Sequence, residues 1–95
     1  MDEAIRQYLD ARSIPRRSRG YLFIYKVVAD TIRDPTTPYH YMKWLNATAM
    51  ECGLNPSNID RVMRYAVSKN NDMSLCEFII EASIQVKKIM KERGN

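Results

Sequence analysis

Apolar residues recur along this chain at intervals of three and four, and the breaks in that pattern carry turn-forming residues. Ile5, Tyr8, Leu9 and Arg12 are spaced for one face of a helix over residues 2–12, with Asp2 as its N-cap and Ile14-Pro15 as its stop. Residues 21–33 are ambiguous on composition, because Tyr21-Leu22-Phe23-Ile24-Tyr25 and Val27-Val28 would suit a strand. The polar positions decide for a helix. Lys26, Asp30 and Arg33 fall on one helical face, Lys26 can pair with Asp30, and apolar residues cover almost everything else, so this is the expected central, most buried helix.

Asp34-Pro35-Thr36-Thr37-Pro38 reads as a loop, with Thr37 as N-cap and Pro38 as the first residue of a third helix that runs to about Cys52 and stops at Gly53. Asn55 as cap and Pro56 as first residue open a fourth helix to about Ser68. Ser74-x-x-Glu77 is a capping box for a fifth, from 75 to about 92. The expected fold is all-α: a compact domain of five helices with no convincing strand.

Leu45 to Arg64 carries a further pattern. A helix-turn-helix needs a small residue where its first helix is crossed closely, a glycine where the turn goes left-handed, and apolar residues facing inward from its second helix. Ala49, Gly53, Leu54 as inward anchor, then Ile59 and Val62 supply these in order. The motif is expected over residues 38–68, with its second helix at 56–68. On that helix Ile59, Val62, Met63 and Ala66 share one face, expected buried. Ser57, Arg61, Arg64 and Ser68 share the other, flanked by Asn58, Tyr65 and Asp60. Arginines that can fork onto guanine, among short hydrogen-bonding side chains, suit the reading of a DNA major groove. The plain alternative is a solvated face whose Arg and Asp side chains form ordinary surface pairs.

Composition bounds the reading without naming a partner. The chain has 95 residues, one domain's worth, with 15 Lys and Arg against 11 acidic residues, a formal charge of +4. That excess admits a polyanion partner and does not require one. Cys52 and Cys76 have no spacing that suits a zinc site or a disulfide framework, so no metal or cofactor is expected. The acidic start Met1-Asp2-Glu3 is the wrong sign for a signal peptide. The most apolar run, Tyr21 to Ala29, is broken by Lys26 and too short for a membrane span, so a reduced, cytoplasmic protein off the membrane is expected. His40, the only histidine, has no Ser, Cys or carboxylate partner at a recognisable spacing, and no glycine-rich phosphate loop exists, so no enzyme is expected. Trp44 reads as a core anchor.

Four patches, in order, resemble the C-terminal DNA-binding effector domain of the sporulation initiation response regulators of Bacillus- and Clostridium-type bacteria. They are Ile14-Pro15 ahead of Arg19-Gly20-Tyr21-Leu22; the turn motif through Ser57-Asn58-Ile59-Asp60-Arg61; Arg64-Tyr65-Ala66-Val67; and Glu77-Phe78-Ile79. The resemblance implies an all-helical fold and a recognition helix that puts a Glu-Arg pair and a following Arg-His pair in the major groove. By position Asp60-Arg61 match the first pair and Arg64-Tyr65 the second, while Asn58 stands where the family usually has another arginine. The segment from Lys69 to Met73 is much shorter than the family's, and no receiver domain is expected ahead of the motif. These departures leave the target sequence open.

The expectation is therefore a sequence-specific duplex-DNA-binding transcription regulator. Ser57, Asn58, Asp60, Arg61, Arg64 and Tyr65 would read bases. Phosphate contacts would come from Arg16, Arg17 and Arg19 of the basic loop, from Thr36 and Thr37 at a helix start, and from Lys43 and Lys69. Ile80 and Ile84 point away from the main apolar stripe of the last helix (Leu75, Phe78, Ile79, Ala82, Val86, Ile89, Met90), which suits either self-association as a homodimer or contact with the first helix or the 16–20 loop. The alternative function is a small helical protein–protein adaptor without DNA binding.

Overall fold

A computed structural model describes residues 1–94. Five α-helices follow in order: α1 (Asp2–Ala11), α2 (Tyr21–Arg33), α3 (Tyr41–Cys52), α4 (Pro56–Ser68) and α5 (Leu75–Glu92), with a 3-10 turn at Thr37–His40 ahead of α3. No strand occurs among the described residues. The helix boundaries agree with those expected from the sequence except at the start of α3.

The core forms where α5 lies along α2 and α1 and touches α4. Ala4, Ile5, Tyr8 and Leu9 of α1, Ile24, Val27 and Val28 of α2, and Phe78, Ile79, Ala82 and Val86 of α5 are all buried in it. Each helix buries the stripe its apolar spacing defines, and removal of that surface from water is the main driving force. α1 ends in a Schellman motif: Ser13 takes a left-handed φ of 61°, and Ile14 N–H donates to the Leu9 carbonyl at 3.0 Å. That hydrogen bond folds Ile14 back into the core, where it is 2% exposed. α5 opens with the expected capping box between Ser74 and Glu77.

Several expectations are corrected. Asp2 does not cap α1; Met1 holds that position, and the Asp2 carboxylate accepts from Arg6 Nε at 3.2 Å and from the Tyr25 hydroxyl. Thr37 does not cap α3. Asp34 draws the Thr36 N–H (3.0 Å) and hydroxyl (2.6 Å) to its own side chain, and the Thr37 hydroxyl donates back to the Asp34 carbonyl at 2.8 Å. The chain therefore continues as a 3-10 turn with Pro38 buried, and α3 begins only at Tyr41.

Leu54 is not an inward anchor: it is 50% exposed, on the rim of a shallow hollow with Phe23 and Ile59, and Ile59 takes the buried position at that corner. Val62 is half-buried, while Val67 joins Ile59, Met63 and Ala66 inside. Trp44 is a half-buried wall residue rather than a core anchor. Its ring stacks on Tyr41 and its indole N–H donates to Asp30 Oδ2 at 2.8 Å. The expected Lys26–Asp30 pair is present at 3.0 Å.

Candidate functional site

The position of α4 follows from three local devices. Gly53 adopts φ +66°, a left-handed conformation that a side chain would strain, and Leu54 N–H returns to the Ala49 carbonyl at 3.0 Å. Asn55 caps α4 by accepting the Ser57 N–H at 2.9 Å, and Pro56 occupies the first helical position, where a missing N–H costs nothing. Only Gly53, Leu54 and Asn55 separate α3 from α4, so the orientation of α4 is set within a few bonds.

The outer face of α4 carries Ser57, Asn58, Arg61, Arg64, Tyr65 and Ser68, all exposed. Their side chains are not equally free. Ser57 gives its hydroxyl to Asn55 at 2.8 Å. Arg61 reaches Asn58 Oδ1 through one guanidinium nitrogen at 3.1 Å, and its remaining donors face solvent. Arg64 Nε donates to Asp60 Oδ2 at 2.8 Å. Asp60 is half-buried, and its other oxygen accepts the Tyr41 hydroxyl at 2.6 Å. This Tyr41–Asp60–Arg64 chain ties the first residue of α3 to the outer face of α4.

The electrostatics follow from those bonds. Burial alone would raise the Asp60 carboxyl, but the donors Arg64 and Tyr41 hold it below its ordinary value. Burial and the bond to Asp60 push the Tyr41 phenol well up, so it stays a donor at any physiological pH. Arg64 is raised in turn by its own hydrogen bond to Asp60. The acidic residue in the middle of the face is thus charged and matched rather than a free negative charge.

The basic loop after α1 divides. Arg17 and Arg19 line one open hollow with Ser18, Gly20, Arg61, Val62 and Tyr65. Arg16 turns the other way and forks onto Asp10 at 2.7 and 3.1 Å, beside Asp2, Glu3 and Arg6. Lys69 continues the α4 face, with its ammonium 5.9 Å from the centre of the Tyr65 ring. Thr36, Thr37 and Lys43 line a separate shallow hollow with Asp34, His40 and Trp44, and neither threonine stands at an α-helix N-terminus. Of the residues expected to meet phosphates, Arg17, Arg19 and Lys69 therefore flank α4. Arg16 does not, and Thr36, Thr37 and Lys43 form a second group.

Tyr41 was not legible as part of this site, because its partner lies 19 residues away and no local spacing signals the pair. Gly20 was legible only within the resemblance, and its role as a wall of the hollow was not. Among the described residues no three His, Cys, Asp or Glu side chains are placed to hold a metal ion. No helix of the described residues is long and apolar enough to cross a membrane. Ile80 and Ile84 are exposed on the outer side of α5, and Cys52 and Cys76 are exposed free thiols. No protein-family model, curated protein or solved structure matches the chain.

Proposed function

We propose that this chain is a sequence-specific duplex-DNA-binding regulator in which α3, the Gly53 turn and α4 act as a helix-turn-helix and α4 enters the major groove. The observation that carries the reading is the gathering of Arg17 and Arg19, from one segment, beside Arg61 and Tyr65 on the outer face of α4. A groove-reading helix needs base-directed donors on its exposed face and phosphate-directed cations on a neighbouring element, so that register is fixed while bases are read. Arg61 keeps most of its donors free for a guanine edge. Arg64 is engaged by Asp60 and reaches a base either by exchanging that partner or as one unit with it. The resemblance to sporulation effector domains supports the same assignment.

Selection from a random duplex pool tests it. An enriched site is expected, and Arg61→Ala should weaken binding to that site by about 1–3 kcal/mol. If Arg61→Ala and Arg64→Ala both leave selected-site affinity unchanged, the roles are wrong. The exposed Ile80 and Ile84 and the modest net charge favour a second reading, a protein–protein adaptor. Steep loss of DNA affinity with salt supports the first reading; no DNA retention even at low salt, with a stable protein complex instead, supports the second.

A further inference from the structure

The outer side of α5 carries an ordered stripe. Opposite the buried Leu75, Phe78, Ile79, Ala82 and Val86 lie Glu77, Ile80, Ile84, Lys87 and Lys91, at alternating intervals of three and four. That spacing places all five on one face of the helix. Ile80 and Ile84, 36% and 46% exposed, sit at its middle. Charge runs along the stripe from acidic at the N-terminal end to basic at the C-terminal end. One Glu77 carboxylate oxygen accepts the Ser74 N–H at 3.3 Å, and neither Glu77 nor Lys87 nor Lys91 forms an ion pair among the described residues.

We propose that this face pairs two copies of the chain through antiparallel α5 helices, with Ile80 of each against Ile84 of the other. A two-fold axis midway between positions 80 and 84 then sets Glu77 of each copy opposite Lys87 of the other, so both apolar and charged positions are satisfied twice. A parallel pairing would set Glu77 on Glu77 and Lys87 on Lys87, with repulsion at both ends. The charge gradient therefore specifies direction, and its self-complementarity specifies the occupant: an isologous interface demands that one patch fit itself. The apolar part is small, so the dimer belongs to the weak class that buries less than about 1,200 Å². It uses no residue of α4 and stands independently of DNA binding.

Sedimentation equilibrium of the full chain, from micromolar to millimolar concentration at low salt, is expected to show a monomer–dimer equilibrium. Ile84→Lys should abolish it. Lys87→Gln should weaken it, and Lys87→Glu should weaken it further, by about tenfold or more, because two attractions become two repulsions. Glu77→Lys should fail to dimerise alone, yet an equimolar mixture of the Glu77→Lys and Lys87→Glu chains should regain dimer, as both pairs are then restored in the heterodimer. Because Glu77 also belongs to the capping box, the Lys87 series stands as the test should Glu77→Lys misfold. A chain that stays monomeric throughout overturns the proposal. So does a dimer indifferent to Ile84→Lys and Lys87→Glu, or a mixture of two folded single variants that remains monomeric.

Discussion

Gly20 lies directly against the main chain of Val62: a Cβ at position 20 would stand 2.4 Å from the Val62 carbonyl oxygen and 2.9 Å from its carbon. Both are backbone atoms, so no side chain can swing aside to make room. The φ of Gly20 is −80°, open to any residue, so glycine is required here for closeness and not for conformation. This approach holds the Arg17–Arg19 segment beside α4. Gly20→Ala is expected to cost about 1–3 kcal/mol by forcing the two segments apart. It should also weaken DNA binding in conditions where the variant is fully folded. Urea unfolding and binding titrations on one sample check both; an alanine variant with wild-type stability would mean that the segments separate freely. Gly53 is the converse case, with φ +66° and no atom within 4 Å of an added Cβ. Gly53→Ala should cost about 1–2 kcal/mol through backbone strain alone.

Tyr41 and Asp60 join α3 to α4 across the turn. Removing the hydroxyl in Tyr41→Phe leaves a half-buried carboxylate with Arg64 as its one charged donor, and should cost about 1.5 kcal/mol, the low end for a hydrogen bond to a charged group. Asp60→Asn should lose part of the same energy. A double-mutant cycle on thermal or urea unfolding is expected to give a coupling of about 1 kcal/mol between the two positions. A coupling near zero would show that the bond contributes nothing net, and that Asp60 is held by Arg64 alone.

The features legible in the sequence are those whose physics is local. Asn55-Pro56, the Ser74–Glu77 box, the glycine at 53 and the Lys26–Asp30 spacing each act within four residues, and each appears as expected. The Thr37 cap fails because two local signals compete: Thr37 has the chemistry of a cap, but Asp34 captures Thr36 first. Arg16 belongs to the basic run in sequence, while its guanidinium pairs with Asp10, six residues back. The rest of the site depends on how helices cross. Tyr41 against Asp60, Gly20 against Val62 and Trp44 against Asp30 are set by tertiary packing, which no residue spacing encodes.

The division of the basic loop gives a prediction specific to DNA binding. Each phosphate contact adds about 0.9 to the slope of log affinity against log salt. Arg17→Ala and Arg19→Ala should each flatten that slope by about this amount and weaken binding alike on specific and unrelated duplexes. Arg16→Ala should leave it unchanged, because that guanidinium is committed to Asp10 on the far side of the loop. Salt titrations of the three variants separate the outcomes, and an equal loss of slope for Arg16→Ala would mean that the loop rearranges on DNA.

Acid should destabilise the fold through two carboxylates. Burial would raise Asp30, but the Trp44 indole and the Lys26 ammonium, with Arg33 adding to them, hold its carboxyl below the ordinary value; Asp60 is lowered against its own burial by Arg64 and Tyr41. In the unfolded chain both return to about 3.9. The unfolded state therefore takes up protons first, and stability rises with pH across the interval between the two values. The contribution of each pair is full above about pH 4 and disappears as pH falls through the lower, folded value. Asp30→Asn, which keeps the shape but not the charge, should lower stability near neutral pH and make the acid dependence shallower. The measurement is urea unfolding of both chains at several pH values from neutral down to about 2.5, a range that spans the unfolded carboxylate value. Parallel curves for wild type and Asp30→Asn would show that the Asp30 cluster shapes the wall of the fold without carrying its acid sensitivity, which would then rest on the other lowered aspartates, Asp60 with Asp2, Asp10 and Asp34.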